Sequence, residues 1–471
     1  MGIIILTPVA ERDVAFYLAT AKILSQKNWK VLFVSFYEPG NKAIRAAGYE
    51  VYNPFSVVSK ASREPLSVLE KRYGTPPLKE MILHEKLTFG LASDQEVLHR
   101  FEDFLHACDR IFDQIESAYP NGPRRIIQEL AGFVGPLSLF YCGMKRGWTH
   151  EFLEPSFFKG HIHFLKNSLF LKIPEVLPSA ESQQKTAAYL ESAQKNKVVV
   201  AAAKDAHHYK DMGVGKVLNK MNINNLIKKL YYKYILRQEF LFSHIGNHVL
   251  RYLRMLRNRY INDSAYCSLE QIPTDKRWIY FPFHVQLDFS LTIRSPDWLD
   301  QLGLIEKALE NLPSDILLIA KEHPASIGCL DQGRLERVLA DPRFRLLRPT
   351  VNSHDVLEKC CGVLTINSKV GAEALSMGLP ILSFGKAFYT DTQFTQRFTS
   401  WNKLKEQTQS WTLAHRKNNP DPAWIYFLSQ VWQDSTQCEL YDLQADNIEN
   451  FVDGILQRGP YASPSERPKE L

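Results

Sequence analysis

The sequence predicts an α/β protein built from two domains, each a doubly wound parallel sheet. Three observations carry this expectation. The chain of 471 residues is too long for one ordinary core and suits two domains of roughly 200 residues each. Short apolar runs alternate with segments of helical apolar spacing in the first part of the chain, and the alternation returns after Arg277. Between them lies a strip of different character, rich in basic and aromatic residues. The expected organisation is a first domain over 1–205, a basic amphipathic helical segment over 206–265, a second domain over 266–440, and a closing helix and tail over 441–471.

In the first domain, Ile3–Leu6 reads as a buried strand closed by Thr7-Pro8, and Ala10–Gln26 as a helix with Val14, Leu18 and Ala21 on one face. Val31–Phe36 is a second strand, Asn41–Ala47 a short helix and Tyr49–Tyr52 a third strand. Phe55–Lys86 carries no clear period. Asp94–Tyr119 is a strongly amphipathic helix, Arg125–Ile127 a strand, and Gly135-Pro136 a turn leading into a helix over Leu137–Lys145. Val198–Val200 is the last strand-like run of this part. In the second domain the expected strands are Trp278–Phe281, Ile316–Ala320, Phe344–Leu347, Gly362–Ile366 and Pro380–Phe384. The helices between them are Asp297–Leu312, Leu330–Leu339, Ser353–Cys360 with Ser353 as N-cap, and Val370–Met377. Leu443–Gln457 reads as a closing helix that returns to the first domain, and Gly459–Leu471 as a frayed tail.

Composition narrows the function classes. The chain is 45% hydrophobic and 23% charged, which excludes collagen, coiled coil and long-range disorder. Met1–Leu6 is apolar but lacks a basic leader and a cleavage site, so it is expected to be a strand and not a signal peptide. No apolar run reaches a membrane-spanning length; the best, Ala131–Met144, is broken by Gly135-Pro136. Seven scattered cysteines without a Cys-x-x-Cys pair point to reduced thiols in a cytoplasmic protein, without structural zinc. The net charge of +6 hides a strong asymmetry: residues 212–262 hold ten Lys and Arg against Glu239 alone, and the remainder is slightly acidic. Leu226, Leu230, Tyr234, Leu250 and Leu253 interleave with these bases at helical spacing. Such a strip is expected to lie on an anionic membrane surface, peripheral to the inner face of the cytoplasmic membrane. Nucleic acid is the less favoured partner, because no recognition motif accompanies the charge.

Three motifs fall where an open α/β sheet binds ligands, at the carboxyl ends of its strands. Lys321-Glu322-His323-Pro324 follows a strand and leaves His323 at the crevice to donate to a phosphate; a surface histidine before a turn would look the same. Asn367-Ser368-Lys369-Val370-Gly371-Ala372-Glu373 reads as turn then helix. Ser368 sits at a helix N-terminus that favours an anion, Gly371 allows close approach of a ligand, and Glu373 suits ribose hydroxyls. Simple capping by Ser368 would also explain that pattern. The third motif is Phe281–Ser290, in which an extended segment would place His284, Gln286, Asp288 and Ser290 on one face of a cleft.

Together Phe281-Pro282-Phe283-His284, Lys321–Pro324 and Asn367-Ser368-x-x-Gly371-x-Glu373-Ala374-Leu375-x-x-Gly378-x-Pro380 resemble the bacterial capsule polysaccharide biosynthesis proteins, a family that includes β-Kdo transferases. The resemblance covers about 277–390. It implies a GT-B glycosyltransferase, in which two Rossmann-like domains face each other across a cleft. It implies a CMP-activated 3-deoxy-ulosonic sugar as donor, Kdo by default, transferred with retention to a glycan or lipid-linked glycan. On that basis Lys321, His323, Asn367, Ser368, Gly371 and Glu373 would bind the nucleotide, with His323 and Ser368 on the phosphate. Asp288 would be a nucleophile or base near the anomeric carbon, although relatives commonly carry a Pro-Glu pair where this chain has Leu287-Asp288. Glu129 and Glu154 are the acids expected to serve the acceptor from the first domain. No metal or other cofactor is expected, since a nucleoside monophosphate can depart with hydrogen-bond donors and a helix N-terminus. A nucleotide-sugar epimerase or other GT-B enzyme, and a non-catalytic scaffold of a membrane polysaccharide complex, are the competing readings.

Overall fold

The computed structural model describes residues 2–58, 63–198, 208, 219–413 and 420–457. Part of the expected strand Val198–Val200, the start of the basic segment including Lys216, and the tail after residue 457 lie outside the described residues.

Among the described residues, fourteen strands form two sheets. The first domain contributes β1 (Gly2–Thr7), β2 (Trp29–Val34), β3 (Glu50–Tyr52), β4 (Arg124–Glu129), β5 (Thr149–Pro155) and β6 (His161–Lys166). The second contributes β7 (Tyr266–Cys267), β8 (Arg277–Pro282), β9 (Ile316–Lys321), β10 (Phe344–Leu347), β11 (Gly362–Thr365), β12 (Ile381–Ser383) and β13 (Gln396–Arg397). The last strand, β14 (Thr436–Gln437), rejoins the first sheet. The orders are β14-β6-β5-β4-β1-β2-β3 and β13-β12-β11-β8-β9-β10-β7. Each has a central strand from which the chain winds first one way and then the other, so each is Rossmann-like, and together they make the expected two-domain GT-B plan.

The central strands are apolar throughout because both faces of each sheet are covered. In β1, Ile3 and Ile5 enter the core under the helix Asp94–Ala118, whereas Ile4 and Leu6 enter the core under Glu11–Gln26 and Ala445–Gln457. In β8, Ile279 and Phe281 face one layer, and Trp278 and Tyr280 the other. The second sheet is parallel at every pairing.

Several expectations are corrected. Gly135-Pro136 is not a turn: the helix begins at Val134, and Pro136 sits in its first turn, where a missing N–H costs nothing. A side chain at Gly135 would strike Phe36, so that glycine serves packing. The cap of the helix Ser353–Lys359 is Asn352, whose side chain accepts from the His354 N–H, and not Ser353. Among the described residues, the segment over 55–86 contributes to four short helices, Pro54–Val57, Leu66–Tyr73, Leu78–Met81 and Leu83–Phe89. Strands β5 and β6, whose sequence carries no clear strand period, extend the first sheet, with β6 antiparallel to β5. Within the span expected for the second domain, the helix Pro422–Asp434 packs in that domain's core, and the strand after it rejoins the first sheet. The helix Pro422–Asp434 carries the chain back, β14 pairs with β6, and Ala445–Gln457 packs on Glu11–Gln26.

The domains meet through a polar clasp and an apolar seam. Arg294 donates to both oxygens of Glu154 at 2.7 and 2.8 Å and to the Leu169 carbonyl at 2.8 Å. Lys369 Nζ donates to the carbonyls of Pro155 and Ser156 at 3.0 and 2.7 Å. Phe289 and Ile293 of the second domain are buried in the first domain's core. A side chain at Gly132 would strike His84 and Ile293, so the seam is close-packed.

Removing Arg294 leaves Glu154 without its bidentate partner, so Arg294→Ala is expected to cost about 2–4 kcal/mol in denaturant unfolding. Burial pushes the Glu154 carboxyl up, but Arg294, Lys369 and His163 outweigh it and hold the group below its ordinary value. A depressed carboxylate contributes stability above its unfolded pKa and loses it as the pH falls through the folded one. Glu154→Gln is therefore expected to be destabilising at pH 7, with the deficit shrinking in acid below the ordinary carboxylate range. A deficit that does not change with pH would contradict the clasp.

Candidate functional site

The crevice opens where β8 and β11 part company, since the chain leaves these neighbouring strands in opposite directions. His284 follows β8 by two residues. Its backbone N–H donates to Gln301 Oε1 at 2.8 Å, and its Nε2 accepts from the Asn367 N–H at 3.4 Å. That contact assigns the ring proton to Nδ1. Burial drives the His284 pKa down to about 4, with Asp288 pulling weakly upward and His323 downward, so the ring is neutral at pH 7.

Asn367 is held from two sides. Its Nδ2 donates to the Ser290 carbonyl at 2.7 Å and to Ser295 Oγ at 3.1 Å. Its Oδ1 is buried and has no donor among the described residues, which leaves an open acceptor in the crevice. Ser368 is the N-cap of the helix Lys369–Ser376, as expected, and its Oγ accepts from the Val370 N–H at 3.2 Å. The hydroxyl proton remains available to a ligand. Gly378 ends this helix region at φ 71°, a conformation that favours glycine.

His323 caps the short helical turn Pro324–Ser326, its Nδ1 accepting from the Ala325 N–H at 3.1 Å. An imidazole that accepts at Nδ1 carries its ring proton on Nε2. The two flanking residues of its motif turn inward. Lys321 Nζ donates to the Val351 carbonyl at 2.8 Å, and burial lowers its pKa to about 8 against the pull of Glu373 and Asp355. Glu322 is bonded by the Tyr266 hydroxyl and by the Gly328 N–H at 3.1 Å, and burial raises it to about 7. Glu373 is buried on the same side of the sheet as Lys321.

Three expectations change. The segment after β8 is not extended: the Asp288 N–H donates to the Val285 carbonyl at 3.0 Å, closing a turn. His284, Gln286, Asp288 and Ser290 thus do not share one face. Gln286 lines a separate cavity with Arg254 and Arg257, while Asp288, exposed, caps the helix Phe289–Thr292 through the Ser290 N–H at 3.3 Å. Asp288 lies within electrostatic reach of both His284 and His84. Second, the close approach at Gly371 is made by the protein itself. A Cβ there would collide with the Tyr389 hydroxyl, which donates to the Ser368 carbonyl at 2.5 Å. Third, Glu154 is engaged by Arg294, and a carboxylate so paired is a weak base.

Glu129 ends β4 on the other side of the seam. It accepts a bond from the Tyr441 hydroxyl, and Arg12 stands 3.9 Å away. Asp13 lies in the same cluster, raised to about 6 by burial and then by Glu129, against the Val9 and Ala10 N–H groups and Arg12. Four residues at or beside the seam escaped the reading of the sequence. These are His84, whose Nδ1 is 2.7 Å from Thr292 Oγ1, together with Arg294, Ser295 and Tyr389. His84 and Arg294 carry no local signal, because their partners are 208 and 140 residues away. Among the described residues, no group of three or more His, Cys, Asp or Glu side chains is placed to hold a metal ion.

Because Tyr389 fills the space over Gly371, Gly371→Ala is expected to displace that ring and to cost about 1–3 kcal/mol in denaturant unfolding. An unchanged midpoint would show that the helix start tolerates a side chain and that Tyr389 is not the constraint.

Comparison with known proteins identifies a family and several similar proteins. The family described as capsule polysaccharide biosynthesis protein matches residues 182–417. Protein FixF of Sinorhizobium fredii is 27% identical over 130 residues, 27% of this chain and 31% of that protein. The chain thus aligns with about a third of the length of this curated relative. Two solved structures from Thermosulfurimonas dismutans are among those found similar. The KpsC β-Kdo 2,4 transferase is 12% identical with a TM-score of 0.40, covering 70% of this chain and 85% of that one. The KpsC β-Kdo 2,7 transferase is 14% identical with a TM-score of 0.35, covering 74% and 89%. The matched span takes in half of the chain and all three motifs of the crevice, and the chain belongs to the capsule polysaccharide biosynthesis protein family.

Proposed function

We propose that the protein is a GT-B glycosyltransferase of bacterial surface polysaccharide synthesis, making capsule or O-antigen. It takes a 3-deoxy-ulosonic sugar, Kdo by default, from a CMP-activated donor and places it on a glycan or lipid-linked glycan acceptor. The observation that carries this reading is the position of His323 after β9 and of Ser368 after β11, both at the carboxyl edge of the second sheet. The reading assigns both to the phosphate, Ser368 as the cap of the helix Lys369–Ser376, with Glu373 on the same helix for the ribose.

The chemistry follows from these groups. His284 stays neutral at pH 7 because burial opposes its charging, so it orients by hydrogen bonding rather than by charge. As the bond from the anomeric carbon to the CMP oxygen breaks, negative charge grows on the phosphate, where His323 and Ser368 donate and the helix dipole is favourable. No metal is required in this scheme. Retention requires two displacements. Asp288 attacks the anomeric carbon as CMP departs, and the acceptor hydroxyl then displaces Asp288 while giving its proton to a base. Asp288 is exposed at the seam and near two histidines, as such a group needs to be. In the first domain Glu129 remains the candidate for the acceptor side, since Glu154 is committed to Arg294. The basic strip is the surface that meets the anionic membrane, holding the enzyme peripherally at the inner face; no described helix is long and apolar enough to cross a membrane.

A thermal-shift panel of CMP, UDP, GDP and TDP tests the donor. CMP is expected to stabilise the protein selectively, because ligand binding to the folded state raises stability by mass action. His323→Ala should abolish that shift, whereas Asp288→Asn should keep it and lower transfer to a glycan acceptor by at least about a hundredfold. Preferential stabilisation by UDP or GDP would overturn the donor assignment.

A further inference from the structure

A cavity of about 590 Å³ opens where the helix Ile245–Ile261 meets the loop after β9. Arg254 and Arg257 form one wall, and Gln286 and the start of the helix Gln332–Leu339 form the other. The cavity is rigidly built. Asn258 Nδ2 donates to the carbonyls of Gly328 and Leu330 at 3.0 and 3.2 Å, and Arg259 Nε to that of Ile327 at 3.1 Å, so the helix is bolted to the loop. The Arg257 guanidinium is steadied by Asn258 Oδ1 at 3.3 Å, while Arg254 has no acceptor among the described residues. Asp331 is the acid in the lining, and its Oδ1 is occupied as N-cap by the Arg334 N–H at 3.0 Å.

This cavity is separate from the proposed nucleotide site. It lies beside Leu330 and Leu335, which belong to the core on one face of the second sheet. Lys321 and Glu373 lie on the other side, with Leu317, Ile319 and Ala372. The mouth is distinctive as well. Residues 250, 254, 257 and 261 fall on one helical stripe, so Arg254 and Arg257 stand between exposed Leu250 and Ile261, with exposed Leu253 and Tyr260 beside them. Leu250 is 65% and Tyr260 88% exposed. Two guanidiniums within an apolar rim match a phosphate that is attached to a hydrocarbon chain.

We propose that this cavity is a headgroup site for the phosphate of an anionic membrane lipid, with Leu250, Leu253 and Tyr260 entering the acyl layer. The inference deepens the proposed function and rests on its reading of the basic strip as the membrane-facing surface. It adds that contact is made at one built pocket rather than by diffuse charge, and that the crevice is thereby held at a set distance from the bilayer where a lipid-linked acceptor emerges.

The test is co-sedimentation of the full chain with phosphatidylcholine vesicles, with and without about 30 mol% phosphatidylglycerol. Arg254→Ala/Arg257→Ala is compared with Lys220→Gln/Arg237→Gln, which removes the same charge from the strip outside the cavity. The wild type is expected to bind the anionic vesicles alone, and the arginine pair to lose at least about tenfold more affinity than the control pair. Leu250→Ser/Leu253→Ser should weaken vesicle binding as well. Equal losses in the two charge pairs would overturn the pocket and leave the membrane reading standing. Competition by soluble glycerol 3-phosphate at micromolar concentration would show a soluble phosphate ligand and overturn the lipid assignment. Absence of wild-type binding, with stabilisation by CMP intact on the same sample, would overturn this inference and the membrane surface without touching the donor assignment.

Discussion

The structure depends on a charge pair placed at the ends of two sheets. Glu154 terminates β5 in the first domain, and Arg294 lies just after the helix Phe289–Thr292 in the second. Parallel sheets gather strand ends and loop starts at one edge, so two such domains facing edge to edge bring polar backbone and charged side chains into the seam. Those groups must be satisfied there or lose the hydrogen bonds water would give. Arg294 and Lys369 do this by donating to the Glu154 carboxylate and to the carbonyls of Leu169, Pro155 and Ser156. Phe289 and Ile293, inserted into the neighbouring core, supply the apolar part of the interface. The clasp therefore sets how the crevice of the second domain faces the first.

That arrangement explains the character of the crevice. Its residues are held by bonds with several elements: Asn367 with Ser290 and Ser295, His284 with Gln301 and Asn367, and the Ser368 carbonyl with Tyr389. Burial removes charge from His84 and His284, which leaves oriented donors and acceptors with little net charge. Positive charge is concentrated on the helices between residues 219 and 262. The two regions meet at Asn258 and Arg259, whose bonds to the loop after β9 tie the basic helix to the second domain. Charge for docking and neutral dipoles for binding are thus separated in space but connected through one loop.

Much of the fold was legible in local pattern. Strands such as β1, β8 and β9 are continuous apolar runs, and Ser368 and Gly378 occupy the capping positions their residue types favour. Strands β5 and β6 were missed because buried His150, Glu151 and His163 interrupt their apolar pattern. Glu151 is offset by a buried pair with Arg125 on the neighbouring strand, which a one-dimensional reading does not see. The turn at 285–288 was likewise invisible, since Gln286, Asp288 and Ser290 alternate as a strand would.

The sequence by itself determined the class of each domain, the three motifs, the family they resemble and the concentration of positive charge in one strip. These follow from periodicity, residue type and composition, which are local quantities. The tertiary structure decided which motif residues point where. It turned Lys321 and Glu322 inward, gave the space over Gly371 to Tyr389, paired Glu154 with Arg294 and moved Gln286 to a second cavity beside Arg254 and Arg257. Each of these depends on a partner far away in the chain or on a backbone turn, and no spacing rule within a motif encodes either.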